Sequence, residues 1–467
     1  MRTSRLDPVV RGALVGAVGP SHVLDTDDLV AGYSVDWMGR FHGRARAVVR
    51  PASTAEVAAV VAICGRHGLA LVPQGGNTGL VGGSVPLHGE IVLSLRRLDT
   101  LEPVDVRAAQ LTAGAGATLE DVQHHAAAAG LQFAVDLAAR SSATIGGMVA
   151  TNAGGIHVVR YGPMRAQLLG VEAVLADGSI VSHLNGLMKD NTGYDLAGLI
   201  CGSEGTLAVV TRARLRLVPR HAHRVTVALG CTSMTHAVDV VQRLRRSIEG
   251  LEAVEMMRAD GVALVASHRG VPVPAVFRHA VSLLIDVAAH HDPTDDIAAA
   301  IGAVDPGLIA DVAVAATAAQ TRELWLFRES HTEAINLHGP PVKLDVTLPA
   351  GSLAVFCDDV ENRIRRVMPG SRTVLFGHLG DGNVHVNVVG AAADPATAEA
   401  VEEAVLSLVA EHRGSISAEH GIGALKRAWL HLSRSESEIA AFRAIKRALD
   451  PGAILNPHVL LPEPGSP

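Results

Sequence analysis

The stretch Pro73-Gln-Gly-Gly-Asn-Thr-Gly-Leu-Val-Gly-Gly-Ser-Val-Pro86 constrains the fold more than any other. It sets Gly75, Gly76, Gly79, Gly82 and Gly83 among Asn77, Thr78, Leu80 and Ser84, between apolar runs at residues 68–72 and 91–95. Glycine has no Cβ and tolerates positive φ, so successive N–H groups can turn into one concavity that takes a phosphate or pyrophosphate. Taken alone, such a cluster also suits a flexible surface loop. The stretch lacks the Lys-Ser/Thr ending of a P-loop. No G-x-G-x-x-G lies between a strand and a helix, and Gly114-Ala-Gly116 lacks the third glycine. A second small-residue block follows at residues 136–155, with Ser141, Ser142 and Thr144 ahead of Gly146 and Gly147. It would lie flat against a planar or anionic group, with 148–152 as a helical turn.

The length of 467 residues exceeds one ordinary core and implies two or three domains. A net charge of −7 gives no nucleic-acid footprint. No apolar run reaches the roughly 18 residues of a membrane span. Residues 1–20 carry Arg2, Arg5 and Arg11 with only a short apolar patch, which reads as a helix rather than a signal peptide. Cys64, Cys201, Cys231 and Cys357 are never spaced C-x-x-C and read as free buried thiols in a reducing cytoplasm.

In chain order, residues 1–43 form a helical lead-in. Residues 44–220 hold both glycine blocks, residues 221–440 a substrate or cap domain, and residues 441–467 a tail. Ser53 and Glu56 predict a capping box at the head of a helix running to about His67. Strands are expected at 45–50, 68–72, 91–95 and 108–114, and a helix at 118–129. A hairpin should turn at Asp177-Gly178. Beyond residue 221 strands alternate with helices at 233–249, 293–302 and 397–412. That pattern suggests an α+β domain with helices on one face of an antiparallel sheet.

Residues 374–389 read as a hairpin. If its loop is Gly380-Asp-Gly-Asn383, His378 and His385 stand directly opposite, with Cβ atoms roughly 4.5–5.5 Å apart. Two imidazoles so placed could share an ion, Asn387 would share their face, and Glu419 could add a carboxylate. Such a set suits Zn²⁺, with Mn²⁺ or Fe²⁺ as alternatives. On spacing alone, a structural pair of histidines beside a turn is the simpler reading. Residues 324–335 read as one helix with Arg328 and Thr332 on one face. Lys343, Asp345 and Thr347 alternate onto one face of a strand.

Four ordered blocks resemble the FAD-linked oxidases of the vanillyl-alcohol oxidase superfamily, across roughly residues 40–462. They are Gln74-Gly-Gly-Asn-Thr-Gly79; residues 141–155; Asp190-Asn-Thr-Gly-Tyr-Asp195 with Gly202-Ser-Glu-Gly-Thr-Leu207; and Phe376–His385 with Ala418-Glu-His-Gly-Ile-Gly423. The last resembles the D-2-hydroxyacid dehydrogenase branch. The resemblance implies an α+β fold with a two-subdomain, PCMH-type FAD-binding domain and an α+β cap. It implies flavin contacts from Pro73, Gly75, Gly76, Asn77, Thr78, Gly79, Leu80, Gly83 and Ser84. Asp136, Ser142, Thr144, Gly146, Gly147, Thr151, Asn152 and Gly154 would add contacts from the second block. Glu204, Gly205, Val209 and Asn456 would complete them, the last as the tail returns to the flavin domain. His378, His385 and Glu419 would be metal ligands, and His420 the base and a substrate contact. Arg328, Thr332, Lys343 and Asn387 would bind substrate. Ala208 and His458 stand where relatives more often have glycine.

The resulting expectation is metal-assisted oxidation of a D-2-hydroxy acid, best D-2-hydroxyglutarate to 2-oxoglutarate, with hydride passing to flavin N5. With no histidine in the first glycine loop, FAD is expected to be non-covalent. Expected partners are an electron-transfer flavoprotein or quinone and a second copy in a homodimer, without nucleic acid or a transmembrane segment. Alternatives are a D-lactate or glycolate dehydrogenase, a flavin-binding electron-transfer subunit, and a divalent-metal hydrolase. The last two leave the metal triad or the glycine loops unused.

Overall fold

The computed structural model describes residues 6–390 and 394–463, so Arg2 and Arg5 lie outside the described residues. The chain forms two compact units. The first holds residues up to Gly154, residues 162–220, and the chain from Glu419 onward; the second holds 155–161 and 221–418. Residues 419–440 thus group with the first unit, and the short segment 155–161 with the second. Hydrogen bonds explain both. In the first unit the Ala424 N–H donates to the Val81 carbonyl at 2.9 Å. In the second, Tyr161 Oη donates to Glu252 at 2.6 Å and Arg160 donates to the carbonyls of Gly250 and Ala288.

In the first unit β1 (Val23–Leu24), β2 (Ala47–Val49), β3 (Leu71–Gln74) and β4 (Ile91–Ser94) form a sheet in the order β1-β2-β4-β3. Strands β2 and β3 run parallel to β4. Helix Thr54–Arg66 makes the crossover and buries Val57, Val60, Val61 and Cys64 fully. Ser53 Oγ accepts the Glu56 N–H as expected. The Glu56 carboxylate takes the Ala52 N–H at 2.8 Å instead, one residue short of a reciprocal capping box. The lead-in is more than helical: helix Pro8–Val18 sends Leu14 into the core, and β1 completes the sheet.

Strands β5 (Gln110–Gly114), β6 (Leu131–Gln132), β7 (Leu168–Val174), β8 (Ile180–His183), β9 (Val209–Arg216) and β10 (Val218–Pro219) follow. An antiparallel sheet runs β5-β9-β7-β8, and β10 pairs with β6. The β7–β8 hairpin turns through Gly178 at φ 86°, a left-handed conformation that glycine adopts without steric cost. All four cysteines are free and buried.

The second unit is built on β11 (His223–Cys231), β12 (Leu251–Arg258), β13 (Val281–Ala289), β14 (Asp311–Val314), β15 (Val342–Thr347), β16 (Arg372–His378) and β17 (Asn383–Val389). They form one antiparallel sheet in the order β14-β11-β13-β12-β16-β17-β15. Residues of both parities are buried along β12 and β13. Both faces of the sheet are therefore covered, where the alternating pattern had suggested one. Phe376 and Met257 pack with Val262, Val265, Phe327 and Ile335 from helices Ala259–Arg269, Ala318–Glu329 and His331–Asn336. Among the described residues no helix is long and apolar enough to cross a membrane.

Two local expectations are corrected. The helix expected over 324–335 is two helices meeting at Ser330. The Phe327 carbonyl, which a continuous helix gives to the His331 N–H, lies 2.7 Å from His331 Nδ1. The 374–389 hairpin also turns one residue earlier than its glycines suggested. Phe376, not His378, stands opposite His385. The two histidines are diagonal neighbours on the same face.

The C-terminal segment is fixed by a buried carboxylate. Asp450 accepts the N–H groups of Ile454 and Leu455 and pairs with Lys446 Nζ at 2.5 Å, which lets Leu455 bridge to Leu71. Asp450→Ala removes three partners at once and leaves Lys446 buried. We expect a loss of about 3 kcal/mol, read as a lower urea midpoint at unchanged slope. A midpoint within error of the parent protein would show that the segment is held by apolar packing instead.

Candidate functional site

In the first unit the two glycine blocks meet backbone to backbone. A Cβ on Gly75 would lie 2.1 Å from Thr144 Oγ1, and one on Gly76 would lie 1.9 Å from the Ser142 carbonyl oxygen. Gly79 faces open space. Strand β3 runs into Pro73 and Gln74, so the loop leaves from a fixed strand end. Asn77 adopts φ 56°, held by its Nδ2 bond to the Val35 carbonyl and by Ser84 Oγ donating to its Oδ1. Thr144 precedes helix Ile145–Thr151, and its buried Oγ1 has no hydrogen-bond partner among the described residues. Gly147 lies beside that hydroxyl, and Thr151 Oγ1 donates to the Gly147 carbonyl. Backbone in contact with backbone, an open edge at Gly79 and an unsatisfied buried hydroxyl fit a bound polyanionic cofactor such as FAD.

Glu204 ties this region together. It adopts φ 53°, and its N–H donates to the Ala150 carbonyl in the second block. Its own carbonyl accepts from Asn456 Nδ2, which also reaches the Gly83 carbonyl of the first loop, both at 2.8 Å. Its carboxylate accepts the N–H groups of Ile422 and Gly423, each at 2.7 Å. Burial pushes the Glu204 carboxyl above its usual range; the two N–H donors and Lys426 act against that. Gly421 and Gly423, at φ 84° and 55°, shape the turn immediately after His420. His420 Nε2 lies 3.7 Å from Glu419 Oε1.

In the second unit one face of four adjacent strands collects the polar groups. Register pairs Glu255 with His378, Phe376 with His385, Asp345 with His385 and Lys343 with Asn387. Paired residues share a face, so β12, β16, β17 and β15 contribute to one surface. The His378 and His385 rings stand 5.2 Å apart, edge to face. His378 Nδ1 lies 2.7 Å from Glu255 Oε1, and His385 Nδ1 lies 3.4 Å from Asp345 Oδ1. Arg328 Nε donates to Glu255 Oε2 at 2.6 Å, and its guanidinium stacks 4.7 Å above the Phe376 ring. Burial pushes the fully buried Glu255 carboxyl up, but His378 and Arg328 outweigh it and hold the group down to about 2. Burial lowers the Lys343 ammonium from its usual value. Burial, with Arg328 alongside, holds His331 neutral, down to about 3.

Asp345 also accepts Asn383 Nδ2 at 2.7 Å and the Ala418 N–H at 3.1 Å. Ala418 is the last residue of this unit, and Glu419 and His420 follow it directly in the chain. Each histidine thus has a carboxylate on Nδ1. A carboxylate at Nδ1 is the arrangement that orients an imidazole whose Nε2 could serve a divalent cation.

Several expected residues also have partners or packing of their own within the protein. Asp136 pairs with Arg140 through both oxygens, at 2.5 and 2.7 Å. Val209 is buried in the core. Asn152 caps helix Ile145–Thr151 at φ 51°, and its Oδ1 accepts the Arg165 N–H. Asp190-Asn-Thr-Gly-Tyr-Asp195 is exposed, with Asp195 capping helix Leu196–Ile200. His458 stacks on His88 at 3.9 Å, which gives it a packing role. Glu255 escaped the sequence reading because a glutamate in a mostly apolar strand, here with Glu252 three residues before it, has no motif around it. Its alternation out of register with Val254 and Met256 was the only signal.

Residues 220–460 match the family described as "FAD linked oxidases, C-terminal domain", and residues 45–183 the "FAD binding domain". The chain is 37% identical over 454 residues to a probable mitochondrial D-2-hydroxyglutarate dehydrogenase of Oryza sativa subsp. indica, covering 96% of this chain and 80% of that protein. It is 35% identical over 461 residues to a putative mitochondrial D-lactate dehydrogenase of Schizosaccharomyces pombe, covering 96% and 87%. The fold is also similar to that of p-cresol methylhydroxylase, with TM-score 0.78, 15% identity and coverage of 97% and 96%.

Two substitutions test the geometry of the first unit. Gly76→Ala must drive the two glycine blocks apart, and FAD affinity should fall on the order of tenfold or more, measured by flavin fluorescence titration. Glu204→Gln offers an amide NH₂ to one of two N–H donors. It should cost about 1–3 kcal/mol and speed amide hydrogen exchange at Ile422 or Gly423. Unaltered exchange at both would mean that the turn holds itself.

Proposed function

The chain belongs to the FAD-linked oxidases, in the branch of D-2-hydroxyglutarate and D-lactate dehydrogenases, and on that premise we propose that its substrate is D-2-hydroxyglutarate, oxidised to 2-oxoglutarate. The reaction class is FAD-dependent oxidation of a D-2-hydroxy acid at its CH–OH carbon. The observation that carries the choice of a dicarboxylate is Lys343. It sits on the same sheet face as the histidine pair, opposite Asn387, and burial already disfavours its charge. A substrate carboxylate placed beside the ammonium would favour its charged form. A hydroxy acid with a methyl or hydrogen at that end has nothing to offer it.

When bound, FAD supplies the two-electron acceptor, and a divalent ion, Zn²⁺ with Mn²⁺ or Fe²⁺ as alternatives, supplies a Lewis acid for the substrate oxygens. Pro73, Gly75, Gly76, Asn77, Thr78, Gly79, Leu80, Gly83, Ser84, Ser142, Thr144 and Gly147 would hold a non-covalent FAD. His378, His385 and Glu419 would hold the ion through imidazole and carboxylate donors. Chain connectivity supports the third member, because Asp345 fixes Ala418 one residue before Glu419. Arg328, anchored through Nε, presents the rest of its guanidinium fork to a carboxylate, with Thr332, Asn387 and Lys343 completing the pocket. His420 would take the hydroxyl proton at a ring nitrogen as the C2 hydrogen leaves with its electron pair, as hydride, for the two-electron acceptor. We assign re-oxidation to an electron-transfer flavoprotein or a quinone, the oligomer to a homodimer, and the compartment to a reducing cytoplasm, in keeping with four free buried thiols.

Acid precipitation should release a yellow supernatant, whereas colour retained in the pellet would mean covalent flavin. With an artificial dye as acceptor, D-2-hydroxyglutarate should exceed D-lactate and glycolate in kcat/KM. Lys343→Met should cost the dicarboxylate roughly 2–5 kcal/mol of transition-state stabilisation and D-lactate much less. Equal losses on both substrates, or a native preference for D-lactate, would return the chain to the lactate-type reading. Chelation should lower turnover, with rescue by Zn²⁺ or Mn²⁺; full activity in metal-free protein would make His378 and His385 a structural pair.

A further inference from the structure

The Glu255 carboxylate touches two different functional groups of the sheet face. Oε1 meets His378 Nδ1 at 2.7 Å and Oε2 accepts from Arg328 Nε at 2.6 Å, with the carboxylate wholly buried. It stands directly across from His378 in the β12–β16 register, so the backbone fixes its reach. Arg328 comes from a helix and His378 from the last residue of a strand. The carboxylate links those two elements.

We propose that Glu255 is a positioning residue that aims His378 and Arg328 together, setting ion binding and substrate carboxylate binding from its two oxygens. Oε1 accepts the Nδ1 proton and fixes the tautomer in which Nε2 carries the lone pair. Oε2 anchors Arg328 by Nε alone, which leaves the Nη end of the fork pointing away from the anchor. Phe376 supplies the flat surface on which the guanidinium lies, so the group has little freedom left. Neither His378 nor Arg328 could turn to a new partner without abandoning this carboxylate. Asp345 serves His385 in a parallel way, but at 3.4 Å and while holding Asn383 and Ala418, so its grip on the ring is looser. The inference rests on His378 being a metal ligand and Arg328 a substrate anchor.

The test uses the FAD-loaded full chain. Glu255→Gln keeps the shape but replaces one acceptor by an NH₂, which cannot accept from Nδ1–H or Nε–H. Zn²⁺ affinity, measured by competition with a chromophoric chelator, should fall 10- to 100-fold, the range for loss of a partner behind a ligand. KM for D-2-hydroxyglutarate should rise more than kcat falls. The two effects should separate in double variants. On a His378→Ala background Glu255→Gln should no longer change Zn²⁺ affinity, and on an Arg328→Met background it should no longer change KM. Glu255→Asp keeps both acceptors but withdraws them by one methylene. It should fall between parent and Gln, and it carries the test if the Gln variant does not fold with full FAD content. Zn²⁺ affinity and KM within threefold of the parent, or losses that persist unchanged on both backgrounds, overturn the proposal and leave Glu255 a structural ion-pair partner. A His378→Ala protein that binds Zn²⁺ as the parent does would refute the ligand assignment itself, and this inference with it.

Discussion

The carboxylate of Glu204 is the interaction on which the flavin-binding unit depends. It satisfies two N–H groups of the turn after His420, while its backbone joins the second glycine block and the C-terminal Asn456. A buried carboxylate is costly unless it is hydrogen-bonded, and here two short bonds to N–H groups compensate. Its backbone is held at positive φ, and the two N–H groups fix where the carboxylate points. The sequence-distant segments 73–86, 141–154, 419–423 and 450–459 of this unit are thereby tied together.

The second unit solves a different problem. Its sheet is buried on both faces, yet one face carries Glu255, His378, His385, Asp345, Asn387 and Lys343 in adjoining positions. Such a concentration of polar groups survives burial only where each has a partner, and the ion pairs of Glu255 and the bonds to Asp345 provide several of them. Burial disfavours the charged form of Lys343 on this face. Arg328 is matched by the buried carboxylate of Glu255.

Much of this was legible from the chain. The glycine blocks announced backbone approach because no residue with a Cβ fits where Gly75 and Gly76 touch Thr144 and Ser142. Ser53 and the apolar face of its helix followed from capping and from the 3.6-residue period. The β16–β17 hairpin was visible, but its register was not. Gly380 and Gly382 both suit a turn, and a two-residue shift in pairing keeps every side chain on its face, so the apolar pattern cannot tell the registers apart. Pairing with β12 and β15 decides it, placing Phe376 opposite His385.

By itself the sequence determined the residue chemistry, namely two glycine-rich blocks, a pair of histidines flanking a turn, and the Glu-His of residues 419–420, because those depend on local composition and spacing. Tertiary structure decided which carboxylates serve them. Glu255 reaches His378 across 123 positions and Glu204 reaches Gly423 across 219. Partners so far apart leave no periodic trace, since strand pairing and the return of the C-terminal segment, rather than any local pattern, bring them within bonding distance.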